Sequence, residues 1–99
     1  MAQKWIIEKK TFKYGNVEFH YNLADDRDDI KCGGFWHIDK INNILYLYGK
    51  SIDYGACNKE KLLEILNEGN YPKELFQLTW KLCKKDIKEF IFNDSETLK

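Results

Sequence analysis

Apolar and polar residues divide the chain into short strand-like runs and one helical stretch. Trp5-Ile6-Ile7-Glu8 through Phe12 is rich in β-branched and aromatic side chains and reads as a strand. Lys13-Tyr14-Gly15-Asn16 reads as a turn, and Val17-Glu18-Phe19-His20-Tyr21 as a second strand or a strand running into a helix start. Ala24-Asp25-Asp26-Arg27-Asp28-Asp29 is polar throughout, a solvated loop or short helical turn. A calcium loop would need a glycine and a distal glutamate that are not in place.

The clearest local unit is a hairpin. Gly33-Gly34 opens Phe35-Trp36-His37-Ile38-Asp39, Lys40-Ile41-Asn42-Asn43 turns the chain, and Ile44-Leu45-Tyr46-Leu47-Tyr48 returns. With Asp39 opposite Ile44, Ile38 pairs with Leu45 and Trp36 with Leu47 on one face, while Phe35 meets Tyr48 and His37 meets Tyr46 on the other. Both faces are bulky and largely apolar, which predicts a central ribbon covered on each side and makes His37 a packing partner of Tyr46. Asn58 caps a predicted helix over Lys59–Glu68 that Gly69 ends, with Leu62, Leu63, Ile65 and Leu66 as its apolar stripe.

After Pro72, alternation of Phe76, Leu78, Trp80 and Leu82 with polar residues favours a half-buried strand over a helix from Lys73 to Phe92. Asp86 to Phe92 can dock as a helix or an edge strand. The elements predict one α+β domain over residues 1–99, with 93–99 a frayed tail. Its sheet is mixed or antiparallel, with one main helix over about 59–68 and a shorter helix or loop packed on it.

Composition changes the picture in three ways. Sixteen basic residues balance sixteen acidic ones, which removes bulk electrostatic attraction to nucleic acid or an anionic membrane. Arg27 is the sole arginine, so a site built on bidentate arginine clamps is excluded. Cys32, Cys57 and Cys83, an odd number without a CxxC pair, read as reduced thiols and not as a disulfide frame or metal site. No leader opens the chain and no apolar run reaches the ~20 residues that span a bilayer, so a cytoplasmic protein is expected, with no membrane association, metal or cofactor.

The order Gly33-Gly34, hairpin, Tyr48-Gly49-Lys50-Ser51-Ile52-Asp53-Tyr54-Gly55-Ala56, helix, Tyr71-Pro72 and Leu78-Thr79-Trp80 resembles the janus/phosphohistidine phosphatase family. Glu18-Phe19-His20-Tyr21-Asn22-Leu23 is similar to the segment that carries that family's catalytic histidine, and the likeness covers about residues 17–82. The resemblance implies removal of phosphate from phosphohistidine, and occasionally phospholysine, on proteins. His20 would be the base or nucleophile. Gly49, Ser51, Asp53, Gly55 and Ala56 would lie in an anion-binding loop, its glycines letting amides converge on phosphate oxygens. Lys13 would be a basic ligand to the phosphate.

Departures bear on activity. Phe35 stands where the family's animal members carry an arginine, two glycines remain of three, and the stretch from His20 to Gly33 is shorter. Asp53 places a carboxylate inside the loop, which repels a dianion by about 1 kcal/mol in water at ~4 Å. These departures favour a small non-catalytic binding or regulatory protein on this fold, with a protein partner and a possible phosphate or phosphohistidine ligand. The aromatic residues Tyr14, Tyr21, Phe35, Trp36, Tyr46, Tyr48 and Tyr54 are the interface candidates. A divergent protein-histidine phosphatase using His20 is the alternative. Nucleic-acid binding through Lys9, Lys10, Phe12, Lys13 and Tyr14 is opposed by the zero net charge, and an edge strand leaves homodimerisation open.

Overall fold

A computed structural model describes residues 1–84 and 92–99. Six strands form one mixed sheet in the order β2-β1-β3-β4-β5-β6. They are β1 (Ala2–Glu8), β2 (Thr11–Val17), β3 (Ile30–Asp39), β4 (Ile44–Tyr48), β5 (Thr79–Cys83) and β6 (Ser95–Thr97). Among the described residues one α-helix, α1 (Lys59–Glu68), stands between β4 and β5, giving a small α+β domain. All neighbours run antiparallel except β4 and β5. A parallel pair cannot be joined by a tight turn, so the chain must cross a sheet face between them, and α1 is part of that crossover.

The ends of α1 follow from its sequence. The Asn58 side chain accepts a hydrogen bond from the Lys61 amide at 2.8 Å, and Gly69 closes the helix in the left-handed region at φ 71°. Leu62 and Ile65 are buried, with Leu66 packed beside them, against Trp5, Ile7, Phe12, Leu45, Leu47 and Trp80. Each tryptophan indole donates to a backbone carbonyl: Trp5 to Phe35, Trp36 to Gly15 and Trp80 to Leu75.

The β3–β4 register has Asp39 opposite Ile44, Ile38 opposite Leu45, His37 opposite Tyr46, Trp36 opposite Leu47 and Phe35 opposite Tyr48, as the alternation requires. Asp39 fixes the turn by accepting from the Ile41 and Asn42 amides. The ribbon is covered on both faces. Leu45 and Leu47 lie in the core beneath α1, and on the reverse Phe92 stacks on Tyr46 at 4.4 Å and on His37 at 5.1 Å.

Three expectations are corrected. The first turn falls at Lys9-Lys10, not at Lys13–Asn16, which lies inside β2. Gly15 is there because a Cβ would meet Leu23 Cδ2 at 3.0 Å, so this glycine marks a close approach and not a bend. Residues 95–97 are not frayed: β6 pairs with β5, Leu82 opposite Glu96. The Asp86–Phe92 segment lies, apart from Phe92, outside the described residues. Finally, Cys32 and Cys57 form a disulfide, and only Cys83 is free. Residues 25 positions apart in sequence meet because the crossover brings the start of α1 back over β3, with a Cα–Cα distance of 5.2 Å.

Closing a loop of that size constrains the unfolded chain by about 3 kcal/mol. Thermal unfolding with and without a phosphine reductant should therefore differ by roughly 10–20 °C in Tm. Unchanged Tm with both thiols demonstrably titratable would contradict this.

Candidate functional site

The site is built around β3. Gly33 has its amide bonded to the Gly55 carbonyl and its carbonyl to the Ser51 amide, at 3.0 and 2.9 Å. The segment after β4 thus folds back and continues the pairing of β3 beyond Tyr48. Gly49 makes the bend at φ +66°, where a Cβ would also strike Phe35 at 2.9 Å. Ser51 and Gly55 form a bridge, and the Ser51 hydroxyl oxygen accepts from the Tyr54 amide at 3.2 Å.

His20 begins a 3₁₀ turn (His20–Leu23) that follows β2, held by the Asn22 side chain accepting from the Phe19 amide at 2.9 Å. The turn lays the imidazole over β3. A Cβ on Gly33 would lie 3.1 Å from His20 Cδ2 and 2.6 Å from the Trp5 carbonyl, so the ring fits only over a glycine. Phe35 meets the ring edge-on at 5.4 Å. His20 Nε2 lies 2.8 Å from the Gly34 carbonyl oxygen. A carbonyl only accepts, so Nε2 carries the proton and the neutral ring keeps its lone pair at Nδ1.

His20 and Ser51 line one cleft of about 270 Å³ together with Lys4, Glu18, Phe19, Phe35, Ile52 and Asp53. His20 and Ser51 are buried, while Ile52 is 97% exposed at the rim. Burial pushes the His20 imidazole below its ordinary value and Lys4 pushes it further, while the Gly34 carbonyl and Asp53 oppose the change. Beside this cleft, Ala2, Phe35, Tyr48, Gly49, Lys50 and Ile52 line a shallower apolar hollow of about 530 Å³.

The expected site residues are only partly brought together. His20, Ser51 and Asp53 meet in the cleft, and Gly49 and Gly55 shape the loop. Ala56 is exposed and does not line the cleft. The amides of Ser51, Tyr54 and Gly55 donate within the protein, so these three are already engaged and do not converge on an anion. Lys13 is elsewhere: its ammonium is 2.6 Å from Glu8 and 3.0 Å from Asp25, at the opposite end of the same β1 face.

The cation in the cleft is Lys4, whose ammonium donates to the Glu18 carbonyl. Sequence reasoning missed it, although β1 alternation puts Lys4, Ile6 and Glu8 on one face. Among the described residues no group of three His, Cys, Asp or Glu side chains is placed to hold a metal ion, and no helix is long and apolar enough to cross a membrane. Comparisons with family models, curated proteins and solved structures find no match.

Two titrations follow. The Lys13 ammonium, and then the Asp26 and Asp25 amides, hold the Glu8 carboxyl down at about 2 against the burial that opposes it. A depressed carboxyl stabilises the fold above its unfolded value of 4.5, and that contribution is lost as pH falls from there to about 2. Glu8→Gln should lower stability at pH 7 and flatten this acid limb in urea unfolding at successive pH values. For His20, NMR titration of the ring protons should place its midpoint below 6.5, lower still in Asp53→Asn and higher in Lys4→Met. Identical midpoints in all three proteins would show that neither charge reaches the ring.

Proposed function

We propose that the chain hydrolyses the phosphoryl group of a protein-bound phosphohistidine, along the lines of the janus/phosphohistidine phosphatase family it resembles. The observation that carries this reading is the meeting of a neutral His20, its lone pair at Nδ1, with Ser51, Ile52, Asp53 and Lys4 in the lining of one cleft. With only 8% of its surface exposed, His20 reaches a water more readily than a phosphorus surrounded by oxygens. It therefore acts as general base. Water oxygen attacks phosphorus while Nδ1 takes its proton. The P–N bond breaks, and its electron pair goes to the departing substrate imidazole, which enters protonated at its other ring nitrogen and so leaves as the neutral ring. His20 then returns the proton to solvent. Lys4 and the Ser51 hydroxyl hold the phosphoryl oxygens.

A second reading, a regulatory protein that holds such a partner without turnover, is favoured by Asp53, whose carboxylate opposes a dianion in this cleft. In either reading the partner is a protein, and exposed Ile52 and Phe19 with the neighbouring apolar hollow would receive the chain around the modified residue. A cytoplasmic setting belongs to the same proposal; there the Cys32–Cys57 bond would have to form by oxidation, since the ordinary state of thiols in that compartment is reduced.

Incubation with a phosphohistidine peptide, followed by ³¹P NMR, separates the readings. Hydrolysis should yield inorganic phosphate and fall at least ~100-fold in His20→Ala. Equal rates in parent and variant would remove His20 from the mechanism. Binding without release would establish the second reading.

A further inference from the structure

Ser51, Ile52 and Asp53, which line the cleft with His20, belong to the stretch between β4 and α1, which has no strand or helix of its own. Its backbone is bonded to β3 at one position. Among the described residues these bonds are the Gly33 amide to the Gly55 carbonyl and the Ser51 amide to the Gly33 carbonyl. Ser51 is buried, but Ile52, Asp53 and Ala56 are exposed, so little of the loop packs inward. The remaining attachment is covalent: Cys57, two residues beyond Gly55, is bonded to Cys32, the residue before Gly33. We propose that the Cys32–Cys57 bond is a redox latch, which when closed holds the 51–56 loop on β3 and completes the cleft, and when open frees the loop and parts His20 from Ser51 and Asp53. As regulation, this rests on the cleft being the working site, whichever of its two functions holds.

The latch can open while the rest stays folded. Helix α1 follows Cys57 directly, and Leu62 and Ile65 in the core and the Asn58 cap hold it in place. Strand β3 is paired with β1 on one side and β4 on the other. The bond thus joins two elements that are each anchored otherwise, and the loop between them is what it ties down.

The two sulfurs differ in reach. Cys32 is 3% exposed, whereas Cys57 is partly open to solvent, so exchange enters at Cys57. The thiolate of a small thiol such as glutathione attacks Cys57 Sγ. The S–S bond breaks, and its electron pair goes to Cys32 Sγ, which takes up a proton. A second thiolate then attacks the small-thiol sulfur of the mixed disulfide, and Cys57 leaves as a thiolate that is protonated in turn. Two small thiols have become one disulfide, and the two protons they gave up are on the cysteines. Closure is the reverse, with the small disulfide as oxidant. Cys83 does not compete, because it is buried in β5 and its thiol is pushed up to about 11.

The test measures ¹⁵N order parameters on the full chain, oxidised and after reduction by dithiothreitol, with Cys57→Ser as a permanently open form. Amides of residues 51–56 should fall from ~0.85 to below ~0.6 when the bond opens, while those of β3 and β4 stay near ~0.85. Phosphate release from a phosphohistidine peptide should drop at least ~10-fold on reduction and recover on reoxidation by glutathione disulfide. A loop that stays rigid in the open forms overturns the proposal, and so does undiminished release with the loop freed. Loss of dispersed signals from β3 and β4 overturns it too, since the bond would then support the whole fold. So does a bond that remains closed at about a hundredfold excess of reduced over oxidised glutathione, the behaviour of a structural disulfide. An oxidised chain that neither binds the peptide nor releases phosphate defeats the functional reading of the cleft, and the order parameters and glutathione titration then decide the latch.

Discussion

Two adjacent residues without side chains, Gly33 and Gly34, set the geometry on which the site depends. Gly33 bonds through both its amide and its carbonyl to the returning Ser51–Gly55 segment, and the space above its Cα is filled by the His20 ring. Gly34 supplies the carbonyl that fixes the His20 tautomer, and a Cβ there would lie 2.8 Å from the Tyr48 carbonyl. The bare backbone of β3 therefore receives a loop along its edge and an imidazole over its face. A side chain at Gly33 would separate the ring from the strand, and with it from the loop bonded to that strand.

The elements that were legible in the sequence are those whose determinants are local. The register of the β3–β4 ribbon follows from alternation and a turn that Asp39 closes on its own neighbours. Both ends of α1 follow from Asn58 and Gly69. Strand β5 follows from alternating Trp80 and Leu82, although it begins only at Thr79, after a 3₁₀ turn at Lys73–Leu75. The misread features are non-local. A glycine that makes a turn and one that admits a distant side chain look the same in one dimension, and Gly15, which reads as a bend, makes room for Leu23. The bond between Cys32 and Cys57 likewise depends on a crossover that spacing alone does not reveal.

Charge placement explains the rest. Lys4 and Lys13 lie towards opposite ends of one sheet face, and the nearer lysine in sequence to His20 is the one that ion pairs remove. Glu8, buried at 7% exposure, is held by the Lys13 ammonium and by the amides of Asp25 and Asp26. The acidic loop therefore contributes backbone amides to an anion, while its Asp25 and Asp29 carboxylates pair with Lys13 and Lys9. At the other end Lys4 donates to the Glu18 carbonyl, lies 6.0 Å from the Phe19 ring centre and lines the cleft. One end of the face is an ion-paired, structural cluster, and the other places residues of both charge signs around the cleft.

Cys83 lies in β5, next to the short strand β6, and burial pushes its thiol up to about 11. Little thiolate then forms at neutral pH, and the sulfur is shielded from solvent as well. With the other two cysteines bonded to each other, the folded chain offers almost nothing to an alkylating reagent. Whatever modification does occur counts the moments when the β5–β6 margin peels open. The chain thus carries its own clock for local opening at the edge of the sheet farthest from β2, with no label added.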